Sequence, residues 1–378
     1  MEQVTIAAVA DVCTGHQPPE SAFINVLEPL RSADLRFAQV ERLYTLRGSF
    51  QEQGGFSARP ARQDPCAADV FKSVPFDVLS LASNHTGDWG PEAVEDTVAT
   101  FQRLGIPTVG AGRNIDEARK PVIIARNGLR IAFLAYVSTT LPQFWANETR
   151  AGSAPMRAHT FYEPYEFQAG APARIVTVPH AADLEHLVAN VRQAKQNADI
   201  LLVSLHWGVH YVPRPCDYQP VVAHAAIDAG ANAILGHHPH QPQGIEIYKD
   251  GVIFYSIGNF AFAPRKGGHS YAMPQGEYLQ KDIYSVEPDP GFVFDYRRHF
   301  KEGGIVFLEA DRRGVARATY LPTLMDDAGQ PDVVRPGQPQ FEKSLVYLNW
   351  AGKFIPGGAT EMKAVGDRYE VFARGDLK

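Results

Sequence analysis

The sequence has few cysteines, no basic run and no long hydrophobic segment, and each absence excludes a class of protein. Its three cysteines are odd in number and scattered along 378 residues, so they give no disulfide framework and favour a reducing compartment, the cytoplasm. No apolar stretch approaches the roughly 18 residues that span a bilayer, which predicts no membrane span. At a formal net charge of −6, the absence of a basic face argues against nucleic acid as a partner.

The N-terminus and the overall composition indicate a globular chain. Residues 1–10 lack a positive region and predict a first strand, not a signal peptide. The composition, 45% hydrophobic and 21% charged, is that of an ordinary soluble protein, and 378 residues can bury a large core. We find no internal repeat and no low-complexity segment.

Short apolar strands alternate with helical patterns along the chain. Strands are predicted at Val4–Val9, Leu35–Val40, Phe76–Ala82, Asp199–Leu205, Ala233–Leu235 and Tyr369–Ala373. Helices are predicted at Glu20–Arg31, Pro91–Leu104, Ala182–Gln196, Gln219–Ala229 and Gln340–Lys353. Hairpins are predicted around Asn127-Gly128, Asp250-Gly251 and Arg313-Gly314. This alternation predicts an α/β fold of stacked sheets flanked by helices.

Two long segments, Thr140–Pro179 and Ala263–Lys301, break this rhythm with many aromatic, proline and glycine residues. We interpret them as loops inserted into one domain over 1–330, with 331–378 as a C-terminal extension that packs on that domain. Long loops in compact domains are usually functional or disordered, and the aromatic content argues against disorder. Phe144 and Trp145 therefore predict either a lid over a pocket or the interface of a homodimer.

The most informative stretch is Gly236-His237-His238-Pro239-His240, which directly follows an apolar strand. Histidine is the commonest neutral metal ligand, and Pro239 restricts the backbone, so its neighbours are held in place. The alternative is a polar loop with solvated histidines. The placement of ligand-type residues elsewhere argues for the metal.

Potential metal ligands follow five separate predicted strands. Because the ends of core strands meet at a sheet edge, we expect these side chains to converge. Such a mixed oxygen and nitrogen set suits Mn²⁺, Zn²⁺ or Fe²⁺, and six ligands exceed what one tetrahedral ion uses, so two ions about 3.5–4 Å apart are predicted. The candidate ligands are Asp11, Glu41, Asn84, His206, His238 and His240.

Three motifs resemble those of the CapA family of poly-γ-glutamate (capsule) synthesis proteins. Asn84-His85-Thr86-Gly87-Asp88-Trp89-Gly90 resembles its Asn-His-x-x-Asp-aromatic-Gly motif, and His206-Trp207-Gly208 its His-Trp-Gly motif. The third combines residues 236–240 with Tyr255-Ser256-Ile257-Gly258-Asn259-Phe260. The family is related to calcineurin-like metallophosphoesterases. The resemblance implies a four-layer α/β/β/α sandwich with a di-metal centre over about Val4 to Phe262.

The resemblance also implies roles for individual residues. Asp11 would bind the first metal, Glu41 would bind or bridge, Asn84 would bind through its amide oxygen, and the histidines at 206, 238 and 240 would complete the shells. His85 would be the general acid, worth about 10²–10⁴-fold in rate. Asp88 would orient a histidine. His237 is interpreted as structural or as supporting a ligand, with a ligand role as the alternative. Asn259 is interpreted as bracing a loop, with contact to the site as the alternative, and Cys216 as chemically inert.

The sequence departs from the family pattern at two places. Asp-x-His becomes Asp11-Val12-Cys13, so an early histidine ligand is missing unless His16 or Cys13 replaces it. His-Trp-Gly-x-Glu-Tyr becomes a motif with His210 at the carboxylate position, which would alter substrate charge preference or supply an extra ligand. Glu41 also lacks the usual Asn-Leu before it, and with Arg42 it could form only a surface ion pair.

These features predict a metal-dependent hydrolase in which ion-activated water attacks a phosphoester or a peptide-like γ-glutamyl amide bond. The substrate would be a small or oligomeric anion, and His210 would join His85 and Asp88 in the catalytic set. The alternative is a non-catalytic protein that binds polymer or a partner in poly-γ-glutamate or capsule metabolism. The altered first motif supports that alternative.

Overall fold

Two β-sheets stacked face to face form the centre of the protein. The computed structural model describes residues 2–51, 62–164, 166–168, 170, 173–263, 299–358 and 360–375. The strands are β1 (Gln3–Val12), β2 (Leu35–Val40), β3 (Val78–Ser80), β4 (Thr108–Val109), β5 (Ala111–Gly112), β6 (Val122–Arg126), β7 (Leu129–Val137), β8 (Gly152–Ser153), β9 (Ala158–Pro164), β10 (Ala173–Pro179), β11 (Ile200–His206), β12 (Ala233–His237), β13 (Ile245–Tyr248), β14 (Gly251–Phe254), β15 (Glu302–Asp311), β16 (Gly314–Met325), β17 (Pro331–Val333), β18 (Lys363–Val365) and β19 (Arg368–Ala373).

Helices cover the outer faces of both sheets. The α-helices are α1 (Leu27–Arg31), α2 (Val70–Ser73), α3 (Pro91–Arg103), α4 (Ile115–Ala118), α5 (Ala181–Lys195), α6 (Tyr218–Asp228) and α7 (Pro339–Gly352). Short 3₁₀ helices span Pro19–Val26, Pro65–Asp69 and Pro142–Phe144. No helix among the residues that the structure describes is both long and apolar enough to cross a bilayer.

The larger sheet has the strand order β18-β19-β16-β15-β1-β2-β3-β4, with β17 paired to β16, and the smaller has β13-β14-β12-β11-β7-β6. Strands β1 to β4 are parallel to one another, and so are β7, β11, β12 and β14. Parallel strands place their carboxyl ends at one edge, which is where loops build binding sites in α/β folds.

Burial of apolar residues occurs in three layers, as a four-layer α/β/β/α sandwich requires. Between the sheets, Phe37 of β2 stacks on Phe133 of β7 with ring centroids 5.7 Å apart. Outside the larger sheet, Phe101 of α3 packs on the β2–β3 face. Outside the smaller sheet, Leu187 of α5 and Val222 of α6 pack on β11 and its neighbours. The predicted sandwich is confirmed.

Segment 331–378 joins the larger sheet and the core. Strand β19 pairs with β16, and Tyr369 of β19 donates its hydroxyl to the carbonyl of Phe341 at the start of α7. Trp350 of α7 belongs to the cluster between the sheets. The tail therefore packs on the same core as the preceding chain, although the proposed boundary at 330 stays a prediction.

The structure differs from the sequence prediction in the length of the first strand and in the type of the first helix. The strand predicted at Val4–Val9 extends to Val12, so Asp11 lies inside β1. The helix predicted at Glu20–Arg31 is a 3₁₀ helix until Val26 and becomes α-helical only at Leu27. Pro29 explains this boundary, because proline lacks an N–H and is tolerated only in the first turn of an α-helix.

The prediction that Thr140–Pro179 is a loop is wrong for much of its length. Strands β9 and β10 form an antiparallel hairpin, because the β-branched and aromatic residues around Phe161 and Val176 outweigh the flanking glycines. Phe144 is only 3% exposed and packs on Gly87, so it forms no open lid or interface. Most of the second segment, 264–298, lies outside the described residues.

Candidate metal centre

All six predicted ligands lie at one edge of the sandwich, and both sheets contribute. Asp11 is in β1, Glu41 follows β2, and Asn84 follows β3 in the larger sheet. His206 ends β11, while His238 and His240 follow β12 in the smaller sheet. The parallel arrangement explains the convergence, because each of these strands runs toward the same edge.

The first group of contacts is centred on His206. Its Nε2 atom lies 2.9 Å from Oδ1 of Asn84 and 3.1 Å from Nδ1 of His238. The backbone N–H of His238 donates to Oδ2 of Asp11 at 3.2 Å. These contacts connect residues from the ends of four strands, two in each sheet.

The second group is centred on His240. Its Nε2 lies 3.4 Å from Oε1 of Glu41, and its Nδ1 lies 3.6 Å from Oδ2 of Asp11. Oδ1 of Asn259 lies 2.9 Å from the same Nδ1. Asn259 was predicted to brace a loop, with contact to the site as the alternative, and this bond shows that it contacts a histidine of the cluster. The second ring nitrogen of a ligating histidine generally needs such a partner.

The backbone around the cluster is strained. Asp11, His238 and His240 have φ values of 42°, 97° and 54°, in a region that residues other than glycine seldom adopt. Each such residue costs on the order of 1–3 kcal/mol and persists where the surroundings impose it, most often at functional sites.

Two carboxylates are buried side by side in the cluster. Asp11 is 0% exposed and Glu41 2% exposed, and burial followed by the charge of Glu41 raises the pKa of Asp11 well above its ordinary value. Neither carboxylate oxygen of Glu41 accepts a hydrogen bond from any described residue. Buried carboxylates of this kind are protonated, paired with a positive group or bound to a metal ion.

The imidazoles have the protonation state that metals require. Burial lowers the pKa of His206 and of His238 well below the ordinary value, so both rings are neutral near pH 7. The contacts run from one pair to the next, and within the described ranges no three His, Cys, Asp or Glu side chains converge as a ready-made ion site. The donor set, with the orphaned Glu41 oxygens, nevertheless fits divalent ions of the Mn²⁺, Zn²⁺ and Fe²⁺ type.

His85 lies at the rim of the cluster beside Asp88. Its Nδ1 is 2.6 Å from Oδ2 of Asp88, and about a quarter of its side chain is exposed. Burial opposes protonation of His85, but the Asp88 carboxylate outweighs it and raises the pKa of the imidazole. The predicted orientation of a histidine by Asp88 matches this contact.

The loop that carries His85 is closed by local bonds and by close packing. The Thr86 hydroxyl donates to the carbonyl of Leu81 at 2.6 Å. A Cβ atom at Gly87 would lie 2.0 Å from Cγ of Phe144, so only glycine fits beneath that ring. The first part of the 140–179 segment therefore supports the His85 loop.

Comparison with known proteins identifies the family of this chain. Residues 4–264 match the family model described as bacterial capsule synthesis protein PGA_cap. The chain belongs to this family. It is 31% identical to the PGA biosynthesis protein CapA of Bacillus subtilis over 70% of this chain and 58% of that protein. It is 30% identical to the capsule biosynthesis protein CapA of Bacillus anthracis over 69% of this chain and 60% of that protein.

Other relatives of this capsule synthesis family are more distant. A probable polyglutamine synthesis accessory protein of Mycobacterium tuberculosis is 28% identical over 60% of this chain and 55% of that protein. The chain thus spans about 55–60% of the length of these three relatives. A purple acid phosphatase from yellow lupin seeds superposes with a TM-score of 0.39 at 12% identity, over 88% of this chain and 53% of that one. So loose an overlap says nothing about activity.

The departures from the capsule family pattern have structural outcomes. The Nε2 atom of His16 lies 3.0 Å from the carbonyl oxygen of Gly329. The Cys13 sulfur accepts a hydrogen bond from Nε of Arg42. Neither contact shows a replacement for the missing early histidine. The alternative of a surface ion pair between Glu41 and Arg42 is wrong, because both residues are buried.

His210, the second departure, lies against two of the predicted ligands. Its ring centroid is 4.0 Å from that of His238 and 5.1 Å from that of His240. Burial lowers the pKa of His210 well below the ordinary value. The motif position that holds a carboxylate in the family pattern therefore places a neutral imidazole inside this cluster.

His237 and Cys216 have surroundings that account for them without a role in chemistry. His237 contacts Oγ of Ser204 at 2.9 Å and stacks on Phe37, as a structural histidine does. Burial raises the pKa of the Cys216 thiol to about 12, which keeps it unreactive. Ser138 was not singled out, yet its N–H donates to the carbonyl of His206 at the end of β7. Sequence reasoning missed Ser138 because no titratable side chain follows β7 directly.

Proposed function

We propose that this chain is a metal-dependent hydrolase of the capsule synthesis family that acts on an anionic substrate. The observation that carries the proposal is the pair of buried carboxylates, Asp11 and Glu41, set among neutral imidazoles at the carboxyl edge of both sheets. A purely structural cluster would be expected to neutralise or hydrogen-bond a carboxylate such as Glu41.

The six side chains at this edge would hold divalent metal ions, and we propose two. When bound, such ions polarise an electrophilic P=O or C=O group and lower the pKa of water. Asn84 would bind a metal ion directly through its amide oxygen. Asn259 would not touch the ion and would instead orient the ring of His240. Manganese, zinc and iron all suit this donor set.

His85 would act on the leaving group. It lies at the partly exposed rim, it follows the Asn84 ligand directly, and Asp88 holds its Nδ1 atom. The Nε2 atom is then the one from which a proton would be donated. A positioned acid of this kind is worth about 10²–10⁴-fold in rate.

The bond that is cleaved has two candidates. The relationship of the family to metallophosphoesterases favours a phosphoester, and the names of the Bacillus relatives favour a γ-glutamyl amide in poly-γ-glutamate. The same metal centre would serve either reaction, so the fold does not decide between them. A cytoplasmic location stays a prediction from the cysteine content.

The test combines metal content with a substrate screen. Elemental analysis of the purified chain should give at least one divalent ion per chain, and loading with Mn²⁺, Zn²⁺ or Fe²⁺ should produce hydrolysis of a phosphomonoester, a phosphodiester or a γ-glutamyl amide. Less than one ion per chain, with no activity on adding any of the three metals, would contradict the proposal.

The second candidate is a non-catalytic protein that binds an anionic polymer or a partner. One observation favours it: Cys13 stands where the family pattern has the early histidine ligand, and the Nε2 atom of His16 is engaged by the carbonyl of Gly329. Calorimetry with poly-γ-glutamate distinguishes the two. Binding without turnover by the metal-loaded chain favours the alternative, whereas turnover that chelation abolishes favours the hydrolase.

A further inference from the structure

We infer that His210 binds the metal centre as an additional nitrogen ligand, in compensation for the histidine that the Asp11-Val12-Cys13 segment lacks. This inference rests on the proposed metal centre. It concerns a residue at which this chain departs from its own family pattern, where a carboxylate is expected.

The loop that carries His210 is fixed on three sides. The indole N–H of Trp207 donates to the carbonyl of Tyr255 at 2.9 Å, and the N–H of Gly208 donates to the hydroxyl of Tyr218 at 2.9 Å. The N–H of Tyr211 donates to the carbonyl of Pro239 at 2.8 Å. The last bond joins this loop directly to the His238-Pro239-His240 segment.

This attachment holds the His210 ring against both neighbouring histidines. The ring is nearly parallel to that of His240, at 13°, and only 4.0 Å separates its centroid from that of His238. Its Nε2 atom is buried and has no hydrogen-bond partner among the described residues. A buried ring nitrogen that lacks a partner, on a ring packed against two predicted ligands, is the kind of group that a cation satisfies.

The exchange of carboxylate for imidazole also predicts a change in metal preference. Imidazole is a softer donor than carboxylate and suits Zn²⁺, whereas oxygen donors suit Mn²⁺. Replacing His210 by glutamate should therefore keep a ligand at this position but shift the relative affinity from Zn²⁺ toward Mn²⁺. Substitution by alanine or glutamine should remove the imidazole nitrogen altogether.

The experiment measures metal binding rather than turnover. Wild type, His210→Ala, His210→Gln and His210→Glu are titrated with Zn²⁺ and Mn²⁺ against a chromophoric chelator, and the visible spectrum of each Co²⁺-loaded protein is recorded. His224→Gln is the matched control, because His224 bonds Glu246 at 2.9 Å outside the cluster. Far-UV circular dichroism verifies folding, and the glutamine variant decides if the alanine variant does not fold.

The expected result is at least a tenfold loss of Zn²⁺ affinity and a weaker Co²⁺ absorption for the alanine and glutamine variants, with the control unchanged. Loss of even an outer-shell partner typically costs 10–100-fold in metal affinity. Unchanged affinity and spectrum in folded variants would overturn the inference while leaving the metal centre intact. A wild-type chain and control that bind no metal would instead contradict the proposed function.

Discussion

Nε2 of His240 lies 3.4 Å from Oε1 of Glu41, and Oδ1 of Asn259 lies 2.9 Å from the opposite ring nitrogen. The imidazole thus joins the smaller sheet to a buried carboxylate of the larger sheet. Glu41 accepts no hydrogen bond from the described residues, so its burial does not stabilise the fold. A buried carboxylate in this position is suited to binding a cation.

The first prediction concerns Glu41→Gln. In the metal-free protein this change removes one of two adjacent buried charges, so the unfolding free energy should stay equal or rise. Saturating metal stabilises the wild type by about 2.7 kcal/mol at 100 times Kd, and this gain should shrink in the variant. Thermal unfolding with and without Zn²⁺ measures both effects. Glu246→Gln, at a buried glutamate outside the cluster, should leave the metal-induced gain intact, and an equal gain in Glu41→Gln would rule out Glu41 as a ligand.

The second prediction separates the acid from the ligands. His85→Ala should keep its metal but lose about 10²-fold or more in turnover, and the loss should be smaller for substrates with good leaving groups. Asp88→Asn should give a milder loss, because it removes only the orientation of Nδ1. Parallel elemental analysis and kinetics with a series of aryl esters check this. Loss of metal in His85→Ala would make His85 a ligand instead.

The third prediction follows from the contact of Phe144 with Gly87. Phe144→Ala should lower the unfolding free energy by about 3–5 kcal/mol, because it leaves a cavity beneath the loop that carries His85. Phe167→Ala, in the same 140–179 segment but with a fully exposed ring, should change stability by less than about 0.5 kcal/mol. Urea unfolding followed by tryptophan fluorescence measures both. Equal stabilities of the two variants would contradict the packing role of Phe144.

The fourth prediction concerns Trp145, which is more exposed than the buried Phe144 and could still belong to a lid or to a dimer interface. The guanidinium of Arg157 lies 4.9 Å from its ring centroid, and the indole is half-buried. As part of a lid, Trp145→Ala should raise KM for the physiological substrate and scarcely change turnover of a small chromogenic ester. As part of an interface, it should lower the native mass by light scattering and affect both substrates together.

The fifth prediction concerns pH. Burial opposes ionisation of Asp183, but three N–H donors of Arg157 outweigh it and lower the pKa of that carboxyl below its ordinary value. A lowered pKa in the folded state stabilises the protein above the unfolded value of about 3.9, and this stabilisation is lost as pH falls through the folded value. Asp183→Asn should therefore cost about 1.5–3 kcal/mol near neutral pH.

The difference between wild type and Asp183→Asn should remain constant down to about pH 4 and shrink below it. Urea unfolding at pH 7, 5, 4 and 3 measures it. Asp228→Asn is the control, because Asp228 pairs with Lys249 at the exposed surface, where ion pairs contribute less than about 1 kcal/mol. A difference that grows with acidity would contradict the sign of the pKa shift.

The sequence alone determined which residues come to the edge of the sandwich. Asp11, Glu41, Asn84, His206 and His238 lie in or after short apolar strands, and parallel strands of α/β folds end at a common edge. Short apolar runs and the polar residues that follow them are local patterns, so the sequence alone reveals them. The motifs around residues 84–90, 206–208 and 236–260 led to the family for the same reason, since each is a short continuous segment.

Only the tertiary structure decided how those residues meet. The contact of Glu41 with His240 joins residues about two hundred positions apart on different sheets, and it depends on how the sheets stack, which no local pattern encodes. The same holds for His210 beside His238, which follows from a backbone bond between two loops. Phe144 is the clearest case of a contact that the sequence does not determine. The hydrophobicity of its ring predicts burial, but whether the ring packs on a partner, a substrate or Gly87 depends on the packing of distant segments.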